Sequence, residues 1–191
     1  MQDAFALFDL PRRPWLEAAE LRDGFHRRSA SLHPDAGGDA ERFAQLNAAH
    51  QTLRAPAARL RHLLELEAPA LLAQARQIPP ALADLFLRVA AARQEGAACL
   101  AQHRAATTPL ARALLTLKPP ATCQTLETAL ADLDAAHAEA FARLKTLDDH
   151  WPQHLPELAA LQAGLSYLEK WSAQLRASQL ELALTSLPPS A

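Results

Sequence analysis

Three adjacent residues, His33, Pro34 and Asp35, set an imidazole and a carboxylate on either side of a proline ring that fixes the backbone. Groups so placed could press charge and hydrogen bonds on a second molecule. Bond-making chemistry would need a larger constellation, and the chain offers none. The other histidines (26, 50, 62, 103, 137, 150 and 154) are scattered, with no His-Glu-x-x-His pair, no Gly-Lys-Ser/Thr phosphate loop and no Gly-x-Ser-x-Gly elbow. Asp148-Asp149 precedes Trp151-Pro152 at a helix end, where turn chemistry accounts for paired acids. Cys99 and Cys123 lie 24 residues apart without a Cys-x-x-Cys, so reduced thiols packed as small hydrophobes are expected rather than a zinc site. The expectation is a protein without an active site, metal or cofactor of its own.

The elements around the tripeptide must hold it out. Proline disfavours the α region for the residue before it, so a helix running to Leu32 should stop at His33. Gly37 and Gly38 loosen the turn. Asp39 can then cap a second helix through Phe43, Leu46, His50 and Leu53. The product is a helical hairpin with a charged tip, although a plain helix stop with a capping carboxylate would read the same way. On the first helix Leu21, Phe25 and Leu32 fall on one side, Arg22 and His26 on a neighbouring one, and Arg27 nearly opposite the core. Arg28 falls near the apolar stripe, where its methylenes can lie along the core edge.

The flanking stretches Leu21-Arg22-Asp23-Gly24-Phe25-His26-Arg27-Arg28, Leu32-His33-Pro34-Asp35 and Phe43 to Leu53 resemble a J-domain, the module that stimulates DnaK-type ATPase chaperones. Phe5-Ala6-Leu7-Phe8-Asp9-Leu10-Pro11, together with Thr52-Leu53-Arg54-Ala55-Pro56, Arg59 and Leu63-Leu64, narrows the resemblance to the HscB-type J-proteins of iron–sulfur cluster assembly. That resemblance implies that His33, Pro34, Asp35, Arg22 and Arg27 meet a DnaK/HscA-type chaperone. It also implies that the first long helix of the C-terminal part binds an iron–sulfur scaffold protein as client, with Leu82, Leu85 and Phe86 on that helix and Tyr167 on the last. The family's carboxylates on the client helix are not matched: Phe86, Val89 and Arg93 stand in their places. Leu82, Leu85, Phe86 and Val89 also have the spacing of ordinary core residues, and Arg22 and Arg27 that of a solvated face beside Glu20 and Asp23.

Composition sets the frame. The 191 residues are 50% apolar, rich in Ala and Leu, with 5% aromatics and almost no β-branched residues besides Thr, which argues an all-α chain. Charge is balanced at 19 basic against 21 acidic side chains, so no global field draws the protein to nucleic acid. No run approaches the roughly 20 apolar residues that cross a bilayer, and the first residues do not read as a secretion signal, so a cytoplasmic protein is expected.

Prolines mark the joints: Pro11 and Pro14 between helices of about 2–9 and 16–32, Pro56 before a helix of 57–67, and Pro69, Pro79 and Pro80 in a connection. The expected plan is a J-domain of 1–67, a linker of 68–80 and a helical client-binding domain of 81–185, joined in an L-like shape. In the last, apolar stripes through Leu82–Val89, Leu126–Leu144 and Leu158–Leu175 predict a three-helix bundle, or four helices if Leu110–Leu117 forms a short one ahead of Pro119-Pro120. A J-protein serving a different client, and a structural helical subunit with a vestigial tip, are the alternatives.

Overall fold

The computed structural model describes residues 2–32, 39–74, 78–108, 115 and 119–185. Every regular element among them is helical, and the fold is all-α. In chain order the helices are α1 (Ala4–Leu7), α2 (Ala18–Leu32), α3 (Ala40–Arg54), α4 (Pro56–Glu67), α5 (Pro69–Gln74), α6 (Ala83–Ala105), α7 (Pro119–Leu147) and α8 (Leu155–Thr185). Single 3₁₀ segments lead into α6 (Pro80–Leu82) and join α7 to α8 (Asp148–Gln153).

Local chemistry sets the boundaries. Asp3 caps α1, its carboxylate accepting from the Phe5 and Ala6 N–H groups. Asp9 then turns left-handed, at φ 53°, so that the Leu10 N–H reaches back to the Phe5 carbonyl. Pro56 divides α3 from α4. Ala55 before it is extended, as a residue preceding proline should be, and the proline itself opens α4, where a missing N–H costs nothing. Pro119 likewise begins α7. The connection expected over 68–80 contains a helix of its own, α5. The stripe over Leu110–Leu117 lies outside the described residues apart from Leu115.

The chain divides into two compact units. The first comprises residues 1–77 and 140–166, the second 78–139 and 167–191, so α7 and α8 each give one end to each unit. In the first unit α4 is the central element. Leu63 faces a cluster of Phe5, Phe8, Leu16, Leu21, Leu46 and Leu53, whereas Leu60 and Leu64 face a second cluster of Leu144, Leu147, Leu158 and Leu165. In the second unit α6, α7 and α8 share one core of Leu85, Val89, Leu100, Leu126, Leu133, Leu168, Trp171 and Leu175. Gly96 is buried there because α6 passes close to its neighbours: a Cβ on it would lie 3.8 Å from Leu126 and 3.9 Å from Ser178.

Candidate functional site

The helices on either side of the tripeptide follow from sequence. α2 runs to Leu32, and α3 begins at Ala40 behind Asp39, whose carboxylate accepts from the Glu41 N–H at 2.9 Å and the Arg42 N–H at 3.2 Å. His33, Pro34 and Asp35 themselves lie outside the described residues. The two helices pack together, with Leu21 and Gly24 buried on α2 and the Phe25 ring 4.3 Å from the His50 ring on α3. Gly24 is buried against Phe8, where an added Cβ would make an ordinary contact at 3.5 Å.

The outer face of α2 carries exposed arginines beside the exposed acids Glu20 and Asp23. Arg22, its side chain 66% exposed, pairs with its neighbour Asp23 at 3.6 Å, and Arg27 is exposed as well. Arg28 departs from that face: half-buried, its guanidinium pairs with Asp9 on the turn after α1. The left-handed Asp9 thus anchors α2 as well as closing α1.

Polar groups missed from sequence hold α4 in place. Because α4 is covered on two sides, Arg59 and His62 are buried, at 4% and 6% exposure, and a buried polar group without partners would cost several kcal/mol. Arg59 donates from Nε to the Pro14 carbonyl and from a terminal nitrogen to the Leu53 carbonyl, both at 2.8 Å. Burial pushes its pKa down to about 10 while the Asp148 carboxylate pulls it up, so the guanidinium stays charged at neutral pH. Asp148, also buried, accepts from the Trp15 N–H at 2.8 Å and pairs with Arg13. His62 Nε2 accepts the Ala4 N–H at 2.9 Å, which requires the neutral ring with its proton on Nδ1, and the imidazole stacks on Phe5. Asp3 completes the set: burial works against its charge, but Arg12 and the Ala6 and Phe5 N–H groups hold its carboxyl below the usual value. A sequence signal existed in the placing of Arg59 and His62 among Ala57, Leu60, Leu63 and Leu64, which marks polar residues on a helix with little solvent-facing surface.

In the second unit the four residues expected at the client surface do not share one environment. Leu85 is core, at 6% exposure, whereas Leu82 and Tyr167 pack half-buried against that core. Phe86 is 38% exposed and lies on the ring of Trp171, 5.6 Å between centroids, which Tyr167 also flanks at 5.6 Å. Beside Phe86, Leu87 is 63% exposed. Phe86 and Tyr167 thus flank the buried Trp171 from α6 and α8, and Phe86 is the exposed ring of the three. Trp171 supports the exposed Phe86 from the core, a packing that spacing on one helix does not give.

Among the described residues no three His, Cys, Asp or Glu side chains gather to hold a metal ion, and no helix is long and apolar enough to cross a membrane. No protein-family model matches the chain, and no solved structure matches it. Curated relatives do. The chain is 40% identical over 74 residues to a co-chaperone protein HscB homolog of Chromobacterium violaceum, covering 34% of this chain and 42% of that protein. HscB homologs of Paraburkholderia phytofirmans and Paraburkholderia xenovorans are each 39% identical over 71 residues, covering 32% of this chain and 41% of theirs. The chain thus spans about two fifths of the length of the curated relatives it matches. Through this matched third of its residues it is related to the HscB-type co-chaperones.

Proposed function

We propose that this protein is a J-domain co-chaperone without catalytic chemistry of its own. Residues 1–67 act as the J-domain: His33, Pro34 and Asp35, with Arg22 and Arg27 on the open face of α2, touch a DnaK/HscA-type chaperone and trigger its ATP hydrolysis. Residues 81–185, after the connection of 68–80, hold the client. The observation that carries this reading is the helix pair around the tripeptide, α2 running to Leu32 and α3 starting behind the Asp39 cap. Similarity to HscB homologs supports it. A cytoplasmic site of action fits the same reading.

The client is an iron–sulfur scaffold protein, gripped by Phe86 together with Leu82 and Tyr167 over the support of the buried Leu85. Covering a ring such as Phe86 contributes roughly 1.5–3 kcal/mol, which can stand in for part of what carboxylates would supply. Phe86, Val89 and Arg93 stand where HscB-type proteins carry those carboxylates, and this favours a second reading: a J-protein of the same mechanism with a different client.

Single-turnover ATP hydrolysis by the chaperone, with and without the full chain, tests the trigger. The expected result is acceleration by the wild-type chain and none by Asp35→Asn. Equal acceleration by both overturns the assignment. Adding a purified scaffold protein should raise the rate further, and Phe86→Ala should remove that increment alone. A scaffold without effect, beside an intact trigger, selects the second reading.

A further inference from the structure

Four rings line the seam between α2 and α3. His26 meets Phe25 edge-on at 6.1 Å, Phe25 lies 4.3 Å from His50, and His50 lies 6.4 Å from Phe8. His50 is half-buried among these rings, whereas His26 is exposed. The charged groups that act on His50 are Arg54, one turn further along α3, and His26 across the seam on α2. The turn after α1 brings the Phe8 ring to the imidazole, and Arg54 and His26 are the described charged groups that act on it.

We propose that His50 makes the α2–α3 contact acid-labile: a proton taken up by its ring loosens the pair of helices. The neutral ring packs as one more aromatic. The protonated ring would be a partly desolvated cation near an arginine and a second imidazole, and no carboxylate is among the described groups that act on it. A phenyl face returns only a weak attraction to a nearby cation at a partly exposed site. Burial first, and then Arg54 and His26, outweigh that return and hold the His50 pKa below the ordinary 6.5. The unfolded chain therefore takes up this proton first as pH falls. The stability His50 contributes is complete above 6.5 and is lost as pH falls from there through the lower folded value. This inference stands on the helix pair itself and holds for any partner the pair meets.

The test uses the full chain. Urea unfolding is followed at the amide NMR signals of α2 and α3 at about pH 7.5 and about pH 5.5, on either side of ordinary imidazole titration. The wild-type midpoint should fall at the lower pH, and His50→Phe, which keeps a ring but cannot titrate, should show a smaller fall. An equal fall in both proteins overturns the proposal. If the variant does not fold, the imidazole titration of His50 in the wild-type chain decides: a midpoint below 6.5 supports the proposal and one at or above it refutes it.

Discussion

Among the described residues, the unit of 1–77 and 140–166 buries Arg59, His62, Asp148 and Gln162 alongside its leucines, whereas the unit of 78–139 and 167–191 buries Ser172 as its one such polar residue. In the first unit these groups are matched. Arg59 has two carbonyls, His62 the Ala4 N–H, Asp148 the Trp15 N–H and Arg13, and Gln162 the Ser166 hydroxyl at 2.9 Å. In the second, among the described residues, the Ser172 hydroxyl and the Gln174 side-chain Oε1 are buried without a hydrogen-bond partner. The ion pairs there, Arg88–Asp132, Arg104–Glu181 and Arg176–Asp134, lie at the surface, where such pairs contribute little. Burying matched polar groups leaves a unit few alternative arrangements, because a shifted helix would strand a charge. A core of leucines tolerates small shifts, so the two interiors differ in how tightly they fix their helices.

The contrast is broken most directly at Asp148. Asp148→Ala strands the Trp15 N–H and leaves Arg59 without its compensating carboxylate, while the partly exposed Arg13 can turn to solvent; the expected loss is about 2–3 kcal/mol. Urea melts read at signals from each unit should show that loss in the N-terminal unit, and an unchanged midpoint there would mean the network is not what fixes α4. A smaller effect, about 1 kcal/mol, is expected from Asp39→Ala, which removes the cap of α3; hydrogen exchange should rise in the first turn of that helix before anywhere else. Smallest is Ser172→Ala. Its hydroxyl has no partner to lose, so the thermal midpoint should stay put or rise slightly. A loss of more than about 1 kcal/mol would show that this buried polar group is satisfied after all, and the contrast between the interiors would weaken.

Much of the scaffold was legible because its causes are local. Asp39 was readable as a cap and Pro56 as a divider, since both act on backbone within a few residues. The long helices followed from apolar periodicity, and the exposed arginines of α2 from their angle to Leu21 and Phe25. At the candidate client surface, spacing alone left Leu85 and Phe86 equivalent. Packing separated them, turning one into the core and setting the other on Trp171. Arg28 was ambiguous for the same reason, because its partner Asp9 depends on how the turn after α1 closes.

Read alone, the residues determined an all-α chain, the cap that starts α3 and the proline that divides α3 from α4, and that an imidazole and a carboxylate sit between two helices. Tertiary structure decided which ends of α7 and α8 join the N-terminal unit, and that Asp148 answers Arg13 and Trp15 across 135 and 133 residues of chain. Caps, prolines and periodicity act within a turn or two of helix, whereas the partner of a buried charge is set by where the chain returns. That return is a property of the whole packed core and leaves no mark on any single stretch of sequence.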